Sequence, residues 1–139
     1  MTTHTPIEIS PHIAQRLQEE QVVWLTTVSA DGTPQPNPVW FIWKDGTFVT
    51  YTRPYSAKVK NMLRNNRVSI NLQGAELLGG DVVIFTGAAE VTFNPALPMP
   101  EYQYKYAEAI QAFGFEVPGY FDAYSAEIRM TPDKVRVVK

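Results

Sequence analysis

Residues 47–74, TFVTYTRPYSAKVKNMLRNNRVSINLQG, decide the fold. Residues 47–53 are rich in β-branched and aromatic side chains, the composition of a strand. Ser56 then offers a hydroxyl at a helix start. Val59, Met62 and Leu63 follow at the i, i+3, i+4 spacing of one apolar face, so the spacing predicts a helix over 56–65. Residues 67–74 return to strand composition. The stretch also carries Arg53, Lys58, Lys60, Arg64 and Arg67, although no Asp or Glu occurs between Asp45 and Glu76. Charges without local partners form either a solvated basic face or an anion site.

Working outward, Asp45-Gly46 and Asp31-Gly32 are tight-turn dipeptides that separate strands at 22–28, 35–43 and 47–53. A long strand is expected over 81–93, with Gly87 marking a bulge or bend. Residues 94–100 are a loop. A helix over 101–113 carries Tyr102, Tyr106, Ala109, Ile110 and Phe113 on one side. The closing segment, SAEIRM followed by DKVRVVK, forms a strand with a turn at Pro132-Asp133. Upstream, Ser10 and Pro11 open a short amphipathic helix over about 11–20. The sum is a mainly β chain: a six-stranded antiparallel barrel with two or three short helices, and a single domain over 1–139.

Composition narrows the function. A chain of 139 residues with 45% hydrophobic and 19% charged residues buries a real core. A net charge of −2 argues against nucleic-acid or membrane-surface partners. The chain has no cysteine, which excludes disulfides, thiol catalysis and thiolate metal sites and fits a cytoplasmic location. No apolar run reaches a membrane span of about 18–20 residues, and the N-terminus has no secretory pattern. There is no phosphate loop of the Walker type and no G-x-G-x-x-G. His4 and His12 are expected at the frayed or exposed N-terminal end, so no metal site and no nucleophile–His–acid set is expected. Catalysis by this chain would need chemistry supplied by a bound cofactor.

Two features point to where a cofactor would sit. Pro34, Pro36 and Pro38 alternate, so in an extended strand their missing donors lie along one edge. Gln35, Asn37 and Val39 remain to pair on the other. The bare edge is either a protected sheet margin or a gap for a flat ligand. At the basic helix, Ser56 is the cap, and Ala57 and Lys58 occupy the first turn, where free N–H groups and the dipole favour an anion. Arg53 arrives from the preceding strand. Lys58 and Asn61 flank the apolar stripe on one side, Lys60 and Arg64 on the other.

The run PNPVWFIWKDGTFVTYTRPYSAKVKNMLRNNRVSINL (36–72) resembles the flavin-binding split β-barrel proteins, the pyridoxamine-phosphate-oxidase-like superfamily. The resemblance spans nearly the whole chain. The short length and the ending IRMTPDKVRVV are most similar to the small flavin/deazaflavin oxidoreductases. It implies a homodimer with cofactor at the subunit interface, either FMN or the deazaflavin coenzyme F-420. It also implies that Arg53, Ser56 and Lys58, with Ala57 beside them, hold the cofactor phosphate. Asn37, Pro38, Val39 and Trp40 would run beside the ring system, and Thr50, Tyr51 and Thr52 beneath it. Lys60 and Arg64 would pair with the acidic tail that the deazaflavin carries and FMN lacks, which favours the deazaflavin; Asn61, on the Lys58 flank, is a further cofactor-binding candidate. The C-terminal Trp and Arg-Leu motif of true pyridoxamine-phosphate oxidases has no counterpart here, so vitamin B6 oxidation is not expected.

The expected function is hydride transfer between a bound flavin-type cofactor and a small organic substrate such as an enone, quinone or tetrapyrrole. Trp40, Trp43, Tyr55, Tyr120, Phe121 and Tyr124 are candidates for the lining of a substrate pocket, with plain core or dimer interface as the alternative for each. A non-catalytic flavin or haem carrier is the alternative. Lys105, with Glu101 and Glu108 close on the same helix, is expected to be a solvated surface partner.

Overall fold

Two serines start two helices. The Ser10 side chain accepts a hydrogen bond from the Ile13 N–H (3.2 Å) at the head of α1 (Pro11–Glu19). Ser56 accepts from the Val59 N–H (3.4 Å) at the head of α2 (Ala57–Arg64). Each satisfies one of the orphan donors of a first helical turn. The computed structural model describes residues 7–74, 81–95 and 97–138. His4 and Ala96 lie outside the described residues, and His12 is exposed on α1.

The strands are β1 (Val23–Val28), β2 (Pro34–Val39), β3 (Ile42–Lys44), β4 (Thr47–Thr52), β5 (Arg67–Leu72), β6 (Val82–Phe93) and β7 (Ala126–Val138). They form one antiparallel sheet in the order β2-β1-β5-β6-β7-β4-β3. The chain is mainly β, as expected, with seven described strands rather than six. The expected strand 35–43 divides at Trp40 and Phe41. There the Phe41 N–H donates to the Tyr106 hydroxyl (2.9 Å), and the Phe41 carbonyl accepts from Lys105 Nζ (2.9 Å). Phe41 thus spends its backbone on α3 (Pro100–Ala112) instead of on a neighbouring strand. The edge strands β2 and β3 are not hydrogen-bonded to each other, yet only two residues join them. Two residues span less than about 12 Å. The sheet must therefore curl until the end of β2 lies beside the start of β3, but it does not close into the expected barrel, and an open seam remains at Trp40.

Asp45 and Gly46 both have positive φ (52° and 76°), the conformation of a two-residue hairpin between β3 and β4. The expected turn at Pro132-Asp133 is instead a bulge in a continuous β7. Thr86 pairs with Lys134 and Gly87 with Pro132, leaving Asp133 extra. Asp133 receives both arms of the Arg67 guanidinium (2.6 and 3.2 Å). A Cβ at Gly87 would lie 2.1 Å from the Thr131 carbonyl oxygen, so the bulge closes only over glycine.

Two apolar clusters result. The first fills the curled sheet, with Leu17 of α1 and Met62 of α2 capping Leu25, Phe48, Phe85, Ile128 and Met130. Such fully buried side chains contribute roughly 1.5–3 kcal/mol each. The second lies outside β3 and β4, under α3 and α4 (Val117–Ala123), and contains Ile42, Val49, Tyr51, Tyr102, Tyr106, Ile110 and Tyr120. Covered on both faces, β4 is buried at five successive residues, Phe48 to Thr52. α4 brings the helices to four among the described residues, one more than expected. Leu63 does not join the α2 stripe: it is 61% exposed, while Val59 and Met62 are buried. No helix among the described residues is long and apolar enough to cross a membrane.

Candidate functional site

β4 ends at Thr52, and the chain turns through Arg53, Pro54 and Tyr55 before Ser56 caps α2. This turn sets Lys58 in the first helical turn. Among the described residues its ammonium makes no hydrogen bond or ion pair, and burial alone pushes its pKa below the usual lysine value. A half-buried cation without a counter-charge is costly unless an anion reaches it.

Lys58 lines a cavity of about 230 Å³. One wall is Pro38, Val39 and Trp40, where the bare edge of β2 meets the seam. The floor is Thr50, Tyr51 and Thr52 of β4. The far wall is Tyr102, Phe113, Tyr120 and Tyr124, from α3, α4 and the residues just after them. Nine site residues named from the sequence therefore converge on one cavity: Pro38, Val39, Trp40, Thr50, Tyr51, Thr52 and Lys58 from the cofactor set, and Tyr120 and Tyr124 from the aromatic set.

The remaining named positions have other places. Arg53 is exposed, and its guanidinium lies over the Tyr124 ring, 4.8 Å from the centroid. Ser56 serves as the cap, and Ala57 and Lys60 are exposed. Asn37 is half-buried, with its amide 3.4 Å from the Gln35 carbonyl. Asn61, expected on a flank facing the cofactor, is instead buried. Its Nδ2 donates to Thr27 Oγ1 (3.0 Å) and Gln35 Oε1 (2.9 Å), and its Oδ1 accepts from Arg64 (3.0 Å). Its amide is spent tying α2 to the β1–β2 hairpin.

Three aromatic candidates also fall elsewhere. Trp43 packs in the first core cluster beside Phe48 and Phe85. Tyr55 is 84% exposed. Phe121 lines a neighbouring cavity of about 400 Å³, which shares Tyr51 and Tyr124 with the first. Lys105 is not a solvated surface partner. Its Nζ donates to the Glu20 and Phe41 carbonyls (2.7 and 2.9 Å) and sits 4.0 Å from the Phe41 ring centroid. Glu101 pairs with Lys44 instead.

Three lining rings and the Tyr106 ring behind them form a continuous stack. Trp40 lies parallel to Tyr106 at 4.8 Å and faces Tyr120 at 5.7 Å; Tyr120 stacks on Tyr124 at 4.2 Å. Burial raises the pKa of the Tyr120 hydroxyl to about 12 and that of Tyr102 well above the usual tyrosine value. Burial and the neighbouring Glu127, to which the Tyr51 hydroxyl donates at 2.7 Å, raise Tyr51 as well. These hydroxyls stay protonated near neutral pH. The cavity thus has a cation at one end, flat apolar walls and neutral hydroxyl donors. It suits a flat conjugated ligand bearing an anionic group. Tyr102 and Phe113 were not among the site residues expected from the sequence, because the 101–113 stripe looks like ordinary core. The signal was two tyrosines four residues apart where leucines would pack as well.

A family model described as pyridoxamine 5'-phosphate oxidase matches residues 9–139. No curated protein sequence matches the chain. Among solved structures, the chain is similar to an F-420 reductase (TM-score 0.69, 20% identity, 92% of this chain and 98% of that one). It is also similar to HutZ, the heme storage protein from Vibrio cholerae (TM-score 0.67, 19% identity, 94% and 95%). A third is an FAD-binding protein from Mesorhizobium loti (TM-score 0.63, 20% identity, 91% and 92%). At these identities the likeness is one of fold.

Proposed function

The chain belongs to the pyridoxamine 5'-phosphate oxidase family, and on that premise we propose that it is an oxidoreductase moving a hydride between a bound flavin-type cofactor and a small conjugated organic substrate. The observation that carries this reading is the half-buried Lys58 ammonium, uncompensated among the described residues, at the mouth of an aromatic cavity. A cofactor phosphate would complete it, met by the α2 N-terminus and by Arg53. The cofactor ring would lie between the β2 edge and Thr50–Thr52, and when bound would supply the hydride chemistry. The protein's part is to fix the ring, exclude water with Trp40, Tyr120 and Tyr124, and present neutral hydroxyls.

The deazaflavin coenzyme F-420 is favoured over FMN. Lys60 and Arg64 are exposed, four apart on α2, and suited to its acidic tail. A second copy of the chain completes the site in this reading. The cavity falls below the ~300–1,000 Å³ of typical ligand sites. Phe113, one of its lining residues, is also 64% exposed.

The likeness to a heme storage protein supports a second reading, a non-catalytic carrier. The lining described above offers no His, Met or Cys as an axial haem ligand; its tyrosines are the candidate ligands, and burial keeps Tyr51, Tyr102 and Tyr120 in the protonated form that binds iron poorly. Two experiments test the proposal: absorption and mass spectra of the cofactor released from protein made in its native host, and turnover with reduced cofactor. A flavin-type chromophore with multiple turnovers supports the enzyme. A tetrapyrrole, or a bound flavin that no acceptor reoxidises, supports the carrier.

A further inference from the structure

Trp40 walls the cavity from outside any strand. It and Phe41 are the two residues that join β2 to β3, and those strands are not hydrogen-bonded to each other. The seam is held from α3 instead. The Tyr106 hydroxyl accepts from the Phe41 N–H (2.9 Å) and donates to the Gln21 carbonyl (2.6 Å), with the Phe41 carbonyl 3.0 Å away. It thereby ties the seam to the segment between α1 and β1. The Tyr106 ring lies behind Trp40, parallel within 5° at 4.8 Å.

One side chain thus fixes the seam twice, its backbone through a hydroxyl and its indole through a ring. Tyr106 is 1% exposed and is not part of the cavity lining, so it reaches a ligand only through Trp40. Burial in the apolar cluster does not by itself call for a tyrosine. An aliphatic side chain would serve that cluster, but would leave the buried Phe41 N–H without its acceptor and Trp40 without its parallel neighbour. A wall already in place grips a flat ring better than one that must be ordered as the ring binds. Trp40, held between Tyr106 and Tyr120, is such a wall.

We propose that Tyr106 is a positioning residue, which sets the Trp40 wall in place for the conjugated ring of a bound cofactor and takes no part in holding its phosphate. This rests on the cavity being the cofactor site. Recognition then divides between two supports: the anion by Lys58 at the head of α2, and the ring by a seam that α3 holds.

Tyr106→Phe keeps the ring and frees the seam; Tyr106→Leu removes both supports. Each folded variant is titrated, well below its melting temperature, with two matched pairs: FMN and riboflavin, which is the same ring without phosphate, and coenzyme F-420 and its phosphate-free deazaflavin core. Affinity for both members of a pair should fall by the same factor, roughly three- to tenfold in Tyr106→Phe and further in Tyr106→Leu. Lys58→Ala should weaken only the phosphate-bearing members. Ile110→Val, four residues along α3 in the same cluster, loses core packing but neither support of the seam, and should bind all four like wild type. Wild type that binds neither FMN nor F-420 overturns the site assignment and this proposal with it. Wild type that binds them while both Tyr106 variants match its affinities overturns this proposal alone. So does a loss confined to the phosphate-bearing members, a loss that Ile110→Val reproduces, or wild type with no measurable affinity for the phosphate-free rings. A Tyr106→Phe chain that fails to fold would also overturn it, by making the hydroxyl a bond of the fold as a whole.

Discussion

Arg53 rests its guanidinium on the ring of Tyr124, 4.8 Å from the centroid, and so joins the turn before α2 to the residue that ends α4. One residue of the proposed anion site thus holds a wall of the cavity. Cation–π contacts at exposed positions contribute about 0.5–1 kcal/mol. Arg53→Gln should lower ligand-free stability by no more than that, yet weaken FMN binding about tenfold, since a charge-assisted bond to phosphate is worth more. Tyr124→Phe keeps the ring and should bind like wild type. Tyr124→Leu should lose roughly threefold. Equal affinities for Arg53→Gln and wild type would separate Arg53 from the anion site.

Lys58 should make stability and binding oppose each other. Its folded pKa lies below the unfolded value because burial disfavours the charge. The ligand-free protein therefore carries an unfavourable ammonium at neutral pH, and Lys58→Met should raise its urea midpoint. A bound anion favours the protonated amine, so binding takes up a proton once the pH exceeds the depressed pKa. Cofactor affinity should accordingly fall as the pH rises, beginning below the ordinary lysine value of about 10.4. A urea midpoint lower in Lys58→Met than in wild type would mean that the lysine has a structural partner.

Asn61→Ala should behave as a core lesion. It strands Thr27 and Gln35 and detaches α2 from the β1–β2 hairpin. The expected cost is about 1–3 kcal/mol in ligand-free stability, read from denaturant unfolding. Unchanged stability with weaker cofactor binding would return Asn61 to the ligand.

Lys105→Met should also destabilise, by about 1–3 kcal/mol, because the Glu20 carbonyl loses the Lys105 donor and the Phe41 carbonyl keeps only Tyr106. Burial lowers the pKa of Lys105 to about 8. The unfolded chain keeps this proton up to about 10.4, so between the two values it binds more protons than the folded one. The contribution of Lys105 to stability should therefore rise from pH 8 to 10, and wild type should gain on Lys105→Met over that range. Parallel stability profiles for the two proteins would place Lys105 in solvent.

What was legible in the sequence was local chemistry. Asp45-Gly46, the Ser10 and Ser56 caps and Gly87 each specify a backbone conformation within a few residues, and each is found. The cavity walls from Pro38 to Trp40 and Thr50 to Thr52 followed from a resemblance covering those residues, and they do meet. What was missed depends on distant partners. The 35–43 strand breaks because Tyr106 and Lys105, more than sixty residues later, bind Phe41. Lys105 has two glutamates at helical spacing, yet tertiary contacts outweigh them. α4 contains Pro118 and Gly119, poor helix formers, and is held by the stacking of Tyr120 and Tyr124. Asn61 looked like a flank residue because an apolar stripe does not reveal a buried amide.

Titration of the ligand-free protein with FMN and with coenzyme F-420, followed by fluorescence, measures the anion site most directly. Lys58→Ala should bind both roughly ten- to a hundredfold more weakly than wild type. Lys60→Ala should weaken F-420 alone. Lys134→Ala, an exposed lysine of β7 outside the cavity, should stay within about threefold of wild type for both. If Lys58→Ala binds FMN and F-420 as tightly as wild type, the cavity beside α2 is not the cofactor site.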